Sequence, residues 1–290
     1  MIGLKKILIT GAGSYIGTSF ENWLSQWPEE YSVETVDMQQ ENWRDTSFAG
    51  FDAVFHVAGI AHRKETEKNA MLYQAVNCDL AVETAGKAKK AGVPLFIFLS
   101  SMSVYGLKTG TITKETPCVP TGPYGRSKLQ AEQRLCQLED ESFCVARLRP
   151  PMVYGSGCRG NYPRLRKLAL KLPFFPNKKN ERSMIYIDTL CEFVRKLIDK
   201  PESGLLFPQN AEYVSTANLV QNIAAVNGKK LHLTGAFSWG IALFHNVSIV
   251  QKVFGNLTYD KAMSGELKSY QVCGFGDSVK RTEYGGNIRG

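Results

Sequence analysis

Residues 6–17 read KILITGAGSYIG, and this stretch decides the fold. Lys6-Ile-Leu-Ile-Thr10 is a short apolar run that reads as a strand, and Ser14 to Trp27 is a helical pattern stopped by Pro28. The glycines fall at the turn between them. Gly11 allows a tight reversal, Gly13 or Gly11 lets main chain approach a pyrophosphate, and Gly17 permits close packing of helix on strand. The first helical turn offers free N–H groups and a partial positive charge to phosphate, so Gly11, Gly13, Ser14, Tyr15, Ile16 and Gly17 are the expected cofactor-binding turn. Asp37 falls 20 residues after Gly17, at the end of the next strand. Its carboxylate suits the ribose hydroxyl of NAD and would repel the 2′-phosphate of NADP.

The alternation continues outward from this turn. Ser32–Asp37, Ala53–Val57, Pro94–Ser100 and Phe143–Leu148 read as strands, and Asn69–Ala91 and Tyr124–Leu138 as helices. PLFIFLS (94–100) is almost wholly apolar, as a strand buried on both faces of a parallel sheet should be. Strand–helix alternation of this kind predicts an α/β fold, a Rossmann-type doubly wound parallel sheet. After Pro150-Pro151 the texture changes. Helical patterns at 163–171, 188–199, 216–226 and about 239–254, with short strands between, predict a smaller α/β substrate-binding domain. The expected division is 1–155 for the NAD-binding domain, with 183–200 packing back on it, and 156–290 mainly for the substrate domain.

Composition narrows the class. The chain has 290 residues, 43% hydrophobic and 21% charged, which excludes a disordered chain, a collagen and a disulfide scaffold. A net charge of +8 suits an anionic partner. Basic and aromatic residues do not interleave, and no nucleic acid is expected. The seven cysteines are scattered without CxxC spacing, so no metal is expected; they read as reduced, mostly buried thiols of a cytoplasmic protein. The N-terminal apolar run is too short for a signal peptide. The apolar run 233–251 carries Thr234, Ser238, His245, Asn246 and Ser248, and reads as a helix of the fold and not an integral membrane segment; a membrane-surface contact is the alternative.

Two strings carry the chemistry. SSMSVYG (100–106) follows the apolar strand, whose carboxyl end is where ligands bind in open α/β sheets. YGRSK (124–128) opens a helix, and a spacing of four puts Tyr124 and Lys128 on one face. A free tyrosine titrates near 10, too high for a general base at neutral pH. A nearby ammonium and a positive nicotinamide ring would both favour the phenolate. Ser101 can donate to the reacting oxygen, and Lys128 can reach the nicotinamide ribose.

Taken in order, TGAGSYIG, VDMQ (36–39), HVAG (56–59), Asn77 in YQAVN, FLSSMSVYG (98–106), PYGRSK (123–128), LRPPMVYG (148–155) and RSMIYID (182–188) resemble an extended short-chain dehydrogenase/reductase of the nucleotide-sugar epimerase/dehydratase group. The resemblance is close over 4–200 and looser over 201–284. It implies Ser101, Tyr124 and Lys128 as the catalytic residues and NAD as the cofactor. It also places Ala58 and Gly59 along the pyrophosphate and Asn77 near the cofactor. Ser101, Ser103, Asn161, Arg164 and Arg182 are the expected substrate-binding set. Arg159 and Arg164 suit phosphate because guanidinium forks match its oxygens; His56 reads as a packed strand residue, and His62-Arg63-Lys64 as a basic loop.

Three departures from the family pattern bear on activity. Ser14 stands where a third glycine is usual, and Met152 where an asparagine often contacts the sugar phosphates. Met102-Ser103 follow Ser101 in place of the acid pair of dehydratases, which argues against elimination of water. The expected activity is an NAD-dependent 4-epimerase of UDP-galactose or UDP-N-acetylhexosamine type, with hydride passing between carbon 4 and the nicotinamide. The alternatives are a 4-keto-sugar reductase of surface-polysaccharide synthesis and a non-catalytic NAD-sensing protein. The expected partners are a nucleotide-diphosphate sugar and a second copy of the chain, packed through the alanine-rich 69–91 helix and the helix of Tyr124.

Overall fold

The computed structural model describes residues 3–235 and 248–285. The strands are β1 (Lys5–Thr10), β2 (Tyr31–Val36), β3 (Ala53–His56), β4 (Leu95–Leu99), β5 (Gly110–Ile112), β6 (Cys144–Leu148), β7 (Met152–Tyr154), β8 (Phe174–Pro176), β9 (Met184–Tyr186), β10 (Gly204–Leu206), β11 (His232–Thr234) and β12 (Leu257–Tyr259). Between them run α1 (Tyr15–Leu24), α2 (Ala70–Gln74), α3 (Leu80–Lys90), α4 (Pro123–Cys136), α5 (Asn161–Lys171), α6 (Ile187–Asp199) and α7 (Thr216–Val226). The chain divides into two units. One comprises Met1–Gly106, Pro117–Pro150 and Cys191–Pro208, the other Leu107–Thr116, Pro151–Leu190 and Gln209–Gly290.

In the first unit the strands form one parallel sheet in the order β10-β6-β4-β3-β1-β2. β1 lies between β2 and β3, with Ile7–Thr10 opposite Ala53–His56 and Lys5–Thr10 opposite Tyr31–Val36. Alternate residues of each strand point to opposite faces. On one face Leu8, Val54, Phe96, Phe98 and Val145 are buried with Ala81, Ala85 and Ala88 of α3 and Ala131 and Leu135 of α4. On the other, Phe20 of α1 meets Phe55 edge-on, with ring centroids 5.2 Å apart. Both faces are covered, which is why the central strands carry no polar alternation.

Sequence and structure differ at three places here. The alanine-rich run expected as one helix over 69–91 is broken: a π-type turn, Ala75–Asp79, separates α2 from α3. An extra residue in the turn shifts the helical register, and Asn77, inside it, becomes fully buried. A short strand, β10, falls after residue 156 yet joins the first unit's sheet; Gly204–Leu206 pairs with Ala146–Leu148 at the sheet edge. The cysteines are free, as expected, but only Cys78, Cys158 and Cys191 are buried, and Cys136 is exposed.

The second unit contains three two-stranded parallel ladders, β11-β8, β12-β5 and β7-β9. Its α7 packs against α5 and the helix Phe275–Tyr284. Glu283 ties them together, accepting from Tyr162 Oη at 2.9 Å, Arg166 Nε at 2.7 Å and Asn227 Nδ2 at 2.8 Å. Of the apolar helix expected over 239–254, Ser248–Phe254 is helical, while 236–247 lie outside the described residues, as does the tail after Gly285. Among the described residues no helix is long and apolar enough to cross a membrane, and no His, Cys, Asp and Glu cluster could hold a metal.

Candidate active site

The glycine turn sits at the carboxyl end of β1. Gly11 has φ +118° and a Cβ there would lie 2.8 Å from the backbone nitrogen of Ala58, so only glycine fits between the ends of β1 and β3. A Cβ at Gly17 would meet Ser14 Oγ at 2.7 Å and the side chains of Val57 and Ile9 at 3.1 and 3.2 Å. Ser14, where the family pattern has glycine, is the N-cap of α1 and accepts from Gly17 N at 3.2 Å. Tyr15 and Ile16 follow in the first turn of α1, whose amides have no partner within the helix. Gly13, at φ +70°, has open space around it. Asp37 lies just past β2, half-buried, accepting from Gln39 N at 3.0 Å and Gln40 Nε2 at 3.3 Å. This bare backbone concavity, with a helix N-terminus on one side and a carboxylate on the other, fits a dinucleotide.

Two strands along the sheet from β1, the end of β4 meets the start of α4. Ser101 is the N-cap of a short 3₁₀ turn, Met102–Tyr105, and accepts from Ser103 N at 3.1 Å. It lies close enough to Tyr124 to lower the pKa of that phenol. The residue between Tyr124 and Arg126 is Gly125, and a Cβ there would lie 2.6 Å from Ser103 O and 2.9 Å from Pro120 Cβ. That glycine lets α4 approach the serine turn closely enough to bring Tyr124 to Ser101. Lys128 is buried, donates to Leu99 O at 2.8 Å and stands 4.5 Å above the Phe98 ring. Gly59 closes the group: a Cβ there would be 2.9 Å from Asn77 Oδ1 and 3.4 Å from Lys128 Nζ.

The electrostatics differ from the sequence expectation. Burial raises the Tyr124 pKa above its ordinary value; Ser101 opposes this, and the Glu65 carboxylate and Tyr73 add to it. Lys128, whose ammonium donates to Leu99 O, is not among the groups that shift it. Burial also depresses Lys128 to about 7, with Glu132 pulling it back up. The chain alone therefore holds a neutral phenol. His56 is a packed strand residue, its Nδ1 2.8 Å from Thr10 Oγ1 and its ring stacked on Phe96 and Phe98.

Below these groups lies a buried ion pair that the sequence reading missed. Arg149, just after β6, donates to Glu132 of α4 from Nε at 3.0 Å and from Nη2 at 2.5 Å. Glu132 also accepts from Ser100 Oγ, and Arg149 donates to Tyr105 Oη at 2.8 Å. The pair thus ties α4 to the ends of β4 and β6 on either side of Ser101. A signal existed for one partner, since Glu132 follows Lys128 by one helical turn on the same face. Asn77 is better described as a positioning residue than a cofactor contact. Its amide is committed to the Ile60 backbone at 2.7 and 3.1 Å and to Ser127 Oγ at 3.2 Å.

Residues 7–207 match the NAD dependent epimerase/dehydratase family. The chain belongs to that family. UDP-glucose 4-epimerase of Vibrio cholerae is 31% identical over 92% of this chain and 90% of its own length. Among solved structures, UDP-glucuronic acid 4-epimerase of Bacillus cereus, in complex with NAD, superposes with TM-score 0.73 at 20% identity, covering 96% of each chain. dTDP-4-dehydrorhamnose reductase of Bacillus anthracis, in complex with NADP, superposes with TM-score 0.70 at 17% identity, covering 96% of this chain and 98% of its own. At such identities these two likenesses show the fold, and one fold serves both an epimerase and a reductase.

As a member of the epimerase/dehydratase family the protein is an NAD-dependent enzyme. The residues expected to hold its substrate are dispersed. Ser103 lies beside Ser101 and accepts a hydrogen bond from it at 3.1 Å. Arg182, Asn161 and Arg164 are in the second unit. Arg182 is half-buried, donates to Gly255 O at 2.9 Å and has its pKa lowered by burial; it forms no ion pair among the described residues. A desolvated guanidinium of this kind suits an anionic oxygen. Asn161 opens α5 and Arg164 follows one turn on, both exposed. Of the neighbouring arginines, Arg159 is exposed, whereas Arg166 is taken up by Glu283.

Proposed function

We propose that this enzyme is a nucleotide-sugar 4-epimerase acting on a UDP-linked hexose or N-acetylhexosamine by transient oxidation at carbon 4. The observation that carries the reading is the 31% identity to a UDP-glucose 4-epimerase over nearly the whole of both chains. The meeting of Ser101, Tyr124 and Lys128 at one strand end supports it. NAD supplies, when bound, the hydride acceptor and a positive ring that favours the phenolate. Gly11, Gly13, Ser14, Tyr15, Ile16 and Gly17 would cradle its pyrophosphate, with Ala58 and Gly59 alongside, and Asp37 would accept from its ribose.

Tyr124 takes the proton from the sugar hydroxyl and later returns it. Ser101 hydrogen-bonds the same oxygen and keeps it aligned with the phenol. Lys128, anchored on Leu99 O, would bind the cofactor ribose. In the first unit Ser103 would contact the sugar; in the second, Arg182, Arg164 and Asn161 are the groups suited to a diphosphate. A second copy of the chain would pack through the 69–91 segment and α4; in the former Met71 is 85% exposed and Leu72 45%. The free thiols suit a reducing cytoplasm.

The test is incubation of the purified enzyme with UDP-sugars and no added NADH. Interconversion of 4-epimers is expected, and Tyr124→Phe should lower kcat by about 10²–10⁴-fold. Consumption of NADH with a 4-keto sugar and no interconversion would make it a reductase.

A further inference from the structure

We propose that Glu65 is a positioning residue of this reaction: from a distant loop it caps the helix that carries Tyr124 and Lys128, and it places a carboxylate at the backbone amide of Tyr124. The inference rests on the epimerase reading for its kinetics but not for its geometry.

Helix α4 lacks a cap of its own. Its N-cap is Gly122, which has no side chain to accept from the first turn, and Pro123 has no N–H. The first amide in need of an acceptor is that of Tyr124, and it donates to Glu65 Oε2 at 3.1 Å. Gly122 is what admits the carboxylate: a Cβ there would lie 2.1 Å from that oxygen. A serine or aspartate cap at 122 would expel Glu65. The loop is built to hold it. Thr66 and Asn69 form a reciprocal cap, Asn69 Nδ2 donates to Lys64 O at 2.9 Å, and Glu67 pairs with Arg126 of α4 at 2.9 Å. A negative charge at a helix N-terminus is also favoured by the helix dipole.

Several groups surround the phenol. Glu65 lies at the Tyr124 backbone amide, the Tyr73 ring of α2 has its centroid 6.3 Å from that of Tyr124, and Ser101 lies at the end of β4. On its own helix Lys128 is turned to Leu99 O, and Arg126 is neutralised by Glu67. Burial, Glu65 and Tyr73 all raise the proton affinity of Tyr124 against Ser101. Burial is the largest of these effects and Glu65 adds to it, so the base forms only when an opposing positive charge arrives.

The experiment compares the purified protein with Glu65→Gln, which keeps an acceptor oxygen and removes the charge, and Glu65→Ala, which removes both. Phenolate absorbance is titrated in each, and the same variants on a Tyr124→Phe background isolate the Tyr124 signal. In Glu65→Gln the phenol is expected to titrate about 0.5–1 pH unit lower, and the acid limb of kcat/KM to move with it. Glu65→Ala is expected in addition to lower Tm by about 2–4 °C. An unmoved Tyr124 titration in Glu65→Gln overturns the proposal, whatever Tm does, and leaves Glu65 a structural cap. Absence of turnover in the unaltered enzyme would instead count against the epimerase reading, because the spectroscopic titration needs no substrate.

Discussion

Replacing Glu132 by glutamine tests whether the buried ion pair is the foundation of the catalytic strand end. The substitution preserves shape and removes one charge. Both partners are buried, with side-chain exposures of 3% for Glu132 and 5% for Arg149. The guanidinium would then keep the Tyr105 hydroxyl at 2.8 Å and that ring 5.0 Å away, but lose the Glu132 charge. At present burial pulls the Arg149 pKa down, and hydrogen bonds and charge from Glu132 more than reverse this. Leaving one member of such a pair alone in the interior costs about 3–5 kcal/mol. In a chain of this size that corresponds to a Tm lower by roughly 6–20 °C. The assay is urea unfolding with the slope checked for constancy, alongside Tm. The double variant Glu132→Leu with Arg149→Met should recover most of the loss, because no charge remains to be solvated. A loss below about 1 kcal/mol in Glu132→Gln would refute the argument, since that is the range of exposed pairs.

Gly125→Ala would place a Cβ 2.6 Å from Ser103 O, pushing α4 off the serine turn; kcat should fall by about 10–100-fold, and unchanged kcat would show that the approach is not needed. Gly11→Ala combines φ +118° with a clash at 2.8 Å against Ala58 N; the purified variant should carry less NAD, measured by chromatography after denaturation. His56 is fully buried, and burial, then the charge of Lys128, hold it neutral down to about pH 3. The unfolded chain takes up that proton near pH 6.5, so stability from this group is present above 6.5 and is lost as pH falls toward 3. Tm measured against pH should therefore decline less steeply on the acid side in His56→Gln; parallel curves would remove His56 from the account.

Much of this architecture is local and therefore legible in one dimension. The strand–turn–helix of residues 6–24 follows from an apolar run, glycines where a Cβ would strike Ala58 or Val57, and a serine at the helix cap. The Tyr124–Lys128 spacing follows from helical periodicity, and the position of Ser101 from the end of a strand buried on both faces. Periodicity reports which way a side chain faces its own element, and these features depend on little else. The π-type turn at Asn77 could not be read this way, because one extra residue in a helical turn leaves the alanine pattern of 69–91 intact.

The proton state of the catalytic phenol was likewise beyond the sequence. YGRSK suggests an ammonium beside a phenol, yet Lys128 donates to Leu99 O, and Glu65, 59 positions from Tyr124, caps its backbone amide. Arg149 reaches Glu132 across 17 positions in the same manner. Spacing along the chain determined where the site lies and which side chains enter it. Packing between distant segments decided what each of those side chains feels, because desolvation and Coulomb energy depend on distance in space and not on separation in sequence.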